Sequence, residues 1–220
     1  MYVGGDVIVE KRESADVSPH LKLELEAEHI SALFWFLQSG FVVTGVEVGC
    51  SVRTFIAAQL GMSQEFINDC ISTTFLDGKP VDDLDAAVVR DGSRLALSSA
   101  LPGLVGATMR SGGVLASLRS SITYKETGIC TGGNGTIHVK LFNMGMEEAG
   151  PDLLRTGILV SGSALETFLQ KNIELIETCR NISLDNQSID FRSLANPQLF
   201  ADRALVRLSV KTVSHSNKGS

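Results

Sequence analysis

Residues 51–98 read SVRTFIAAQLGMSQEFINDCISTTFLDGKPVDDLDAAVVRDGSRLALS and form the most regular part of the chain. Ser51 is a favourable helix N-cap, because its hydroxyl can accept a hydrogen bond from a free amide of the first turn. From Val52 to Leu60 the apolar residues recur at helical spacing, and Gly61 is a suitable end for that helix. Ser63 can begin a short second helix in the same way. This stretch therefore predicts two consecutive capped helices.

Two Asp-Gly pairs, Asp77-Gly78 and Asp91-Gly92, mark turns in the rest of this stretch. They bound the strands predicted at 71–76 and 94–98, and residues 84–89 cross from one turn to the other. Strand and helix signals together indicate one packed unit. Its predicted buried cluster consists of Phe55, Ile56, Leu60, Phe75, Leu95 and Leu97.

The residues before this stretch predict a strand, a helix and a second strand. Leu21 to Ala27 alternates apolar and charged side chains, which is typical of a half-buried strand. Glu28 to Gln38 has helical character and is followed by Gly40, a residue common just after helix ends. Phe41 to Val48 is rich in valine and predicts the next strand. Further upstream, Val7 to Val9 is a short strand candidate.

The residues after it predict, in order, a strand at 136–141, a helix at about 143–155, a strand at 158–160, a short helix opened by Asn196 and Pro197, and a strand at 204–213. Ser163 and Glu166 have the spacing of a capping box, in which each side chain binds a backbone amide at a helix start. We expect that helix to present apolar residues on one face as far as Cys179. Residues 114–124 are compatible with both strand and helix.

Strands and helices follow one another without the regular order of a doubly wound sheet, and no repeat of fixed period emerges. The chain is therefore predicted to be an α+β protein with mixed sheets and packed helices. We expect an N-terminal part at 1–113, a C-terminal α+β part at 114–213 that can pack into the same domain, and a flexible tail at 214–220.

The turns and periodicity of about residues 41–106 resemble the β-grasp, ubiquitin-like family of sulfur carriers. The matching residues are Ser51-Val52, Phe55-Ile56, Leu60-Gly61-Met62, Thr74-Phe75-Leu76-Asp77-Gly78-Lys79-Pro80-Val81, Asp83-Leu84-Asp85, Val89-Arg90-Asp91-Gly92-Ser93, Leu95-Ala96-Leu97 and Pro102-Gly103. The resemblance implies a β-grasp-like module in the N-terminal part. Family chemistry needs a free C-terminal glycine, whereas this chain continues for more than 100 residues beyond Gly113. The resemblance therefore implies a module used as a scaffold or binding surface.

The same block also resembles an S4-type RNA-binding module, which shares the order of helices and glycine turns. Between residues 51 and 100, however, four basic residues stand against seven acidic ones, a net charge of −3. Such a surface would repel a phosphate backbone. The whole chain carries a net charge of −6 without a cluster of Lys and Arg, so we expect no nucleic-acid partner.

The cysteines and histidines do not form a ligand motif. Cys50, Cys70, Cys130 and Cys179 lie far apart, and no CxxC, HxxxH or HExxH spacing occurs. We expect small, mostly buried thiols, with no metal and no cofactor. Met1 to Asp6 lacks the features of a signal peptide, and no apolar run is long enough to span a bilayer. A cytoplasmic protein without membrane association is therefore expected.

Two glycine-bearing stretches, 102–113 and 128–135, are the candidate ligand-binding regions. Backbone amides in such stretches can hold a phosphate, although neither stretch has the ending of a P-loop or a GxGxxG pattern. A tight connection explains them more simply. The candidate ligand-binding residues are Pro102, Gly103, Gly106, Gly112, Gly113, Gly132 and Gly133.

Two hypotheses for function arise from the sequence. In the first, the chain is a non-catalytic binding or assembly protein built on a β-grasp-like module, which contacts a protein partner or associates with itself. In the second, it is an enzyme whose site lies between the two glycine-bearing stretches. No GxSxG motif is present, and His138 alternates with apolar residues in a predicted strand, so no catalytic residue is assigned. An exposed apolar patch would favour the first hypothesis, and a pocket with a convergent histidine or carboxylate would favour the second.

Overall fold

The computed structural model describes residues 18–99, 103–119, 121–126, 132–194, 196, 199–200 and 202–213. The strands are β1 (His20–Glu26), β2 (Phe41–Val48), β3 (Thr73–Leu76), β4 (Lys79–Val81), β5 (Arg94–Ser98), β6 (Gly133–Phe142), β7 (Ile158–Val160), β8 (Asn181–Leu184), β9 (Gln187–Ser188) and β10 (Val206–Val213). The helices are α1 (Phe34–Ser39), α2 (Val52–Gln59), α3 (Gln64–Cys70), α4 (Gly103–Met109), α5 (Met144–Thr156), α6 (Gly162–Lys171), α7 (Ile173–Glu177) and α8 (Phe191–Leu194), with 3-10 turns at Ala27–Leu33 and Ala116–Arg119.

All of these strands belong to one mixed sheet with the order β4-β3-β5-β6-β2-β7-β10-β1-β8-β9. Two of its neighbouring pairs, β5 with β6 and β1 with β10, are parallel, and the other pairs are antiparallel. The predicted α+β class with a mixed sheet and packed helices is therefore confirmed. Strands from either side of residue 113 pair with one another in this sheet.

The sheet has the same pattern of pairing when it is followed inward from either edge. From both edges there are two antiparallel pairings, one parallel pairing and one antiparallel pairing before the central pair β2–β7. We call β2–β6 the first half, and β1 with β7–β10 the second half. In each half a strand, two helices and a hairpin follow one another in sequence. The strand pairing is therefore symmetric about the central pair β2–β7, although no sequence repeat indicated it.

Helices cover one face of the sheet. In β1 the side chains alternate, and Leu21, Leu23 and Leu25 are buried. The inward side chains of the sheet form one hydrophobic cluster with apolar residues from α1, α2, α3, α5, α6 and α7. The alternate positions of β1, β6 and β10 are half-buried or exposed. The opposite face of the sheet is therefore open to solvent over these strands.

The serine caps of the first half are confirmed. Ser51 Oγ accepts from the amide of Thr54 at 3.2 Å, and Ser63 Oγ accepts from the amide of Phe66 at 3.0 Å. The hairpin turn at Asp77-Gly78 is also confirmed, with φ values of 52° and 79°. Local hydrogen bonding and backbone preference suffice to place these elements.

The predicted capping box at Ser163 and Glu166 is wrong. The helix begins two residues earlier, at Gly162, and Ser161 Oγ accepts from the amide of Ala164 at 3.2 Å. The reason is a close backbone approach, because the amide of Gly162 donates to the carbonyl of Arg203 at 3.2 Å. A contact with a segment about 40 residues away is not visible in local spacing.

The single helix predicted as far as Cys179 is interrupted. Asn172 has φ −123° and ψ 39°, and its side-chain amide donates to the carbonyl of Phe168 at 2.8 Å. This bond satisfies a carbonyl at the end of α6, and α7 starts afresh at Ile173. Among the described residues the last helix is α8, which ends at Leu194 and so precedes the predicted Asn196-Pro197 start. Pro197 and the strand predicted at 7–9 lie outside the described residues.

The predicted buried cluster is correct for most of its members. Phe55, Ile56, Leu95 and Leu97 are buried in one core, and Leu60 packs against it partly buried. Phe75 is half-buried, because it alternates with the inward Leu76 and so lies on the opposite face of the sheet.

Candidate functional site

The candidate site is a segment that comes after β5 and lies along the outer edge strand β4. We call residues 103–119 and 121–126 the edge segment. The amide of Tyr124 donates to the carbonyl of Pro80 at 2.8 Å, and Ser111 Oγ donates to the carbonyl of Val81 at 2.7 Å. The amide of Ser111 also bonds the carbonyl of Ser72 at 2.9 Å. The edge segment therefore satisfies backbone groups that an edge strand would otherwise leave to solvent.

Arg119 attaches the edge segment to the sheet. Its side chain is only 3% exposed and forms a two-pronged ion pair with Asp82, with Nη2–Oδ1 at 2.6 Å and Nη1–Oδ2 at 3.1 Å. Paired contacts of this kind are among the stronger charge-assisted hydrogen bonds. Asp82 directly follows β4, so this pair fixes the 3-10 turn of the edge segment against the end of the edge strand.

The remaining donors of Arg119 organise the edge segment itself. Nε donates to the carbonyl of Thr108 at 2.6 Å, and Nη1 donates to Thr123 Oγ1 at 2.9 Å. Nη2 lies 3.4 Å from the carbonyls of both Met109 and Arg110. These carbonyls belong to the C-terminal end of α4, where a helix leaves its last carbonyls without partners. One buried guanidinium thus holds α4, the 3-10 turn and β4 together.

A second polar cluster fixes the far end of the edge segment. Arg90 donates to the Tyr124 hydroxyl at 3.0 Å and forms an ion pair with Glu126, while the Tyr124 hydroxyl lies 2.9 Å from Glu126 Oε2. The hydrogen bond from Arg90 lowers the pKa of the Glu126 carboxyl, and burial raises the pKa of Tyr124. Because each charge is matched within the cluster, we interpret it as an anchor.

The outer side of the edge segment is apolar and exposed. Among the described residues, five of the six exposed large hydrophobic side chains belong to it, and the sixth is Trp35. Their exposed fractions are 74% for Leu104, 68% for Val105, 97% for Val114, 72% for Leu118 and 50% for Ile122. Exposed apolar side chains concentrated in one segment in this way are typical of protein interaction sites.

The edge segment also borders an open depression of about 570 Å³. Gly112 and Gly113 line it together with Ala107, Arg110, Ser111, Val114 and Leu115. Arg110 is the one ionisable side chain among these lining residues. A histidine or carboxylate that could pair with it for acid–base chemistry is not among them.

The structure separates the predicted ligand-binding glycines. Gly112 and Gly113 form the turn after α4, where Gly112 has φ +63°, a conformation that favours glycine. Gly103 starts α4 and Gly106 is buried within it. Gly132 and Gly133 lie by the start of β6, where a Cβ on Gly132 would contact the carbonyl of Val48, and neither lines the depression. Pro102 lies outside the described residues.

The cysteines that the structure describes, Cys50, Cys70 and Cys179, are half-buried and so more accessible than expected. Cys70 donates to Glu148 Oε2 at 3.0 Å, and this bond raises the pKa of Cys70 to about 11. Burial raises the pKa of Cys179 to about 11. Both groups are therefore protonated at neutral pH, and the thiol is a weaker nucleophile than the thiolate. Cys130 is outside the described residues.

Metal-binding and membrane-spanning features are both absent from the described residues. They contain no group of three His, Cys, Asp or Glu side chains placed to hold a metal ion. Within the same residues, no helix combines the length and the apolar character that crossing a membrane requires.

Sequence reasoning missed the residue on which the candidate site depends. Arg119 lies in the stretch that is compatible with both strand and helix, and its partner Asp82 belongs to an acidic run typical of a solvated turn. A local pattern cannot connect positions 37 residues apart. The only signal was the apolar content of the same stretch. Val114, Leu118 and Ile122 recur every four residues, as on one face of a helix, although the structure forms only a short 3-10 turn there.

Comparisons with known proteins give no relative. No protein-family model matches the chain, and no match is found among curated proteins or among solved structures.

Proposed function

We propose that this chain is a non-catalytic binding or assembly protein built on a β-grasp-like module, and that the edge segment contacts a protein partner. The observation that supports this most directly is the exposed apolar surface formed by Leu104, Val105, Val114, Leu118 and Ile122. Burying such side chains against a partner is favourable by about 1.5–3 kcal/mol each when burial is complete. The partner it fits is a protein with an apolar patch of its own.

The way in which the edge segment is held supports the same function. Its anchors are polar and point inward, through Arg119 to Asp82 and through Arg90 to Glu126, so its apolar side chains are left to face outward. A surface that is ordered before binding loses less conformational entropy when a partner docks. Polar anchoring beneath an apolar surface therefore suits a preorganised contact surface.

The enzyme alternative receives less support. It requires groups for proton transfer or nucleophilic attack beside the glycine-bearing stretches. The described lining of the depression offers Arg110 alone among ionisable groups. The glycines of the two stretches also lie apart, so they do not form a joint cradle for a phosphate.

The experiment compares two double variants that each add two negative charges. Leu104→Asp with Leu118→Asp changes side chains that are more than 70% exposed, so the fold should be retained. Gln38→Asp with Gln170→Asp places the same charges at exposed positions of α1 and α6. Photo-crosslinking from position 114 in cells identifies the partner, or a second copy of the chain, and calorimetry with the purified partner then measures affinity.

We expect the Leu104/Leu118 variant to bind the purified partner at least about 100-fold more weakly, since two apolar contacts are lost and two charges are desolvated. The Gln38/Gln170 control should bind as tightly as the unmodified chain. Equal affinity of both variants, or no crosslink from position 114 above that from position 38, would overturn the proposal. If a second copy is captured, sedimentation of the two variants replaces calorimetry as the measurement.

A further inference from the structure

The open face of the sheet carries an unbroken row of residues that lie directly opposite one another on six adjacent strands. Each neighbouring pair is a register partner in the sheet. Partners of this kind have their side chains on the same face. We call this set the cationic row, and in spatial order it consists of Arg94, His138, Val42, Leu159, Arg207 and His20.

The cationic row has an Arg-His pair at each end and an apolar centre. Arg94 pairs with His138 in the first half, and Arg207 pairs with His20 in the second half. Val42 and Leu159 lie between them at the centre of the sheet. With strands about 4.8 Å apart, the row is roughly 24 Å long and the midpoints of its two Arg-His pairs are about 19 Å apart.

The acidic residues at the ends of the cationic row bind the backbone. Asp77 Oδ1 accepts from the amide of Arg94 at 2.7 Å, and Asp185 Oδ1 accepts from the amide of His20 at 2.8 Å. Neither Asp forms an ion pair with the guanidinium of Arg94 or of Arg207 within the part of the chain that the structure describes. Arg207 donates to a backbone carbonyl, that of Thr156, at 3.3 Å.

Two lysines add to the positive charge on the same face. Lys22 and Lys140 each lie two positions along the strand from a member of the row, namely His20 and His138. Lys22 donates to a neutral partner, Asn186 Oδ1, at 2.6 Å. The acidic Glu24 on this face is already paired with Lys211 at 3.3 Å. In a chain of net charge −6, the two arginines of the row and these two lysines therefore place four cations on this face, and none of them forms an ion pair among the described residues.

We propose that the cationic row binds an extended acidic peptide segment of a partner protein, with acidic side chains at both ends and apolar side chains between them. Carboxylates would contact the two Arg-His pairs, and the apolar side chains would lie over the half-buried Val42, beside Leu159, which is only 8% exposed within the protein. An extended chain advances about 3.3 Å per residue, so the two acidic groups lie roughly six residues apart. This surface is distinct from the edge segment, and the proposal does not rest on it.

Charge complementarity selects this partner over two others. A second copy docked face to face would place Arg and Lys side chains against each other. A nucleic acid would place phosphates on the apolar centre, and the net charge of −6 would repel it at longer range. An acidic peptide presents few charges at fixed spacing, which matches two separated Arg-His pairs.

The test uses the full chain and a labelled peptide, Glu-Glu-Thr-Val-Thr-Val-Glu-Glu, with binding followed by fluorescence anisotropy at low salt. A peptide of the same composition with its four Glu residues in the centre is the comparison. We expect saturable binding of the first peptide below about 1 mM, and at least about threefold weaker binding of the second.

Two double variants then locate the site. Arg94→Glu with Arg207→Glu should weaken binding at least about tenfold, because two attractive charge pairs become repulsive. Arg155→Glu with Arg192→Glu makes the same change of net charge at exposed residues of helices, and it should change affinity by less than about threefold. If the first variant does not fold, Lys22→Glu with Lys140→Glu replaces it, and this variant should also bind the first peptide more weakly than the unmodified chain.

Three results would overturn the proposal: no saturable binding of either peptide, equal weakening by both double variants, or tighter binding of an eight-nucleotide single-stranded RNA than of the peptide. The last would assign the row to nucleic acid. Because the Leu104/Leu118 variant leaves the cationic row unchanged, its peptide affinity should equal that of the unmodified chain.

Discussion

The first and second halves of the sheet share one pattern of pairing but differ in the segment that comes after the hairpin. In the first half, Asp82 comes after β4 and binds Arg119 of the edge segment. In the second half, Asp190 comes after β9, and its Oδ1 accepts from the amide of Arg192 at 2.8 Å, at the start of α8. An aspartate at the same topological position thus binds a distant side chain in the first half and a nearby backbone amide in the second half.

This difference indicates that different residues determine the strand pairing and the surface features of each half. The hairpin turns are nearly identical in backbone, with φ values of 52° and 79° at Asp77-Gly78 and 50° and 66° at Asp185-Asn186. Each half also starts its helix pair with a serine cap, Ser51 or Ser161. Turns and caps maintain the common topology, while the segment after the hairpin provides the features that are particular to each half.

The largest expected effect concerns the residue after the serine cap, which is Val52 in the first half and Gly162 in the second. A Cβ on Gly162 would lie 2.1 Å from the carbonyl oxygen of Phe200 and 2.4 Å from that of Arg203. Gly162→Ala should therefore destabilise the fold by more than about 4 kcal/mol, because backbone must move. Urea unfolding, or the loss of soluble protein, measures this. Gly133→Ala, whose Cβ would meet nothing within 4 Å, is the control and should cost less than about 1 kcal/mol.

The next effect compares the first helix of each pair. Phe55 and Leu165 each lie four residues after the serine cap, and both are fully buried. Phe55→Ala should cost about 3–5 kcal/mol and Leu165→Ala about 2–5 kcal/mol, because each leaves a cavity in the common core. Denaturant unfolding followed by two optical probes gives both values. A cost below about 1 kcal/mol for either variant would show that the two helices are not equivalent in packing.

A smaller effect tests the equivalence of the two hairpin turns. Asp77 and Asp185 each hold a positive φ and accept one backbone amide from the neighbouring strand. Asp77→Ala and Asp185→Ala should each destabilise the protein by about 1–2 kcal/mol, because the backbone hydrogen bond is lost and alanine tolerates positive φ less well. Asp77→Ala also loses the hydrogen bond from Ser93 Oγ at 3.2 Å, so its cost should lie in the upper part of that range. Values that differ by more than about 1 kcal/mol would mean that only one turn supports its half of the sheet.

The smallest effect is a pH dependence confined to the second half. Burial, followed by the charges of Lys22 and Arg207, lowers the pKa of His20 below its ordinary value of 6.5. The unfolded chain therefore binds a proton at His20 at a higher pH than the folded chain does, so stability is fully present above about pH 6.5 and is lost as the pH falls towards the lowered pKa. Urea midpoints at pH 7.5 and 5.5 should show a smaller difference for His20→Asn than for the unmodified chain. Identical differences would contradict the assignment to His20.

The contrast between local and distant contacts also explains how much the sequence could predict. Ser51, Ser63 and the Asp77-Gly78 turn act within a few residues, so their caps and turn are visible in spacing alone. Most helices and strands of the first half are predicted correctly for this reason. The start of α6 is not predicted correctly, because it depends on a backbone contact with Arg203. The face of the sheet on which Phe75 lies is not predicted correctly either, because it depends on register with distant strands.

Local sequence patterns could not reveal the symmetric strand pairing of the two halves or the open face of the sheet. The halves share turn and cap chemistry but few side chains, and the equivalent positions Val52 and Gly162 illustrate how far they differ. The cationic row requires register across six strands, which no single segment encodes. Of the candidate site, the sequence indicated the glycine turn at Gly112 and Gly113 but neither Arg119 nor its pairing with Asp82.

The position of β1 in the sheet has a consequence for how the chain folds during its synthesis. The strands of the first half lie within residues 41–142, so that half can form soon after they are made. β1 must instead wait for both of its partners, β8 and β10. His20 and Ser209 of β10, which bond at 2.8 Å, are 189 positions apart. At about 5–20 residues per second, this delay is roughly 10–40 s. Alternation of Leu21, Leu23 and Leu25 with charged residues limits the aggregation of an unpaired strand during that interval.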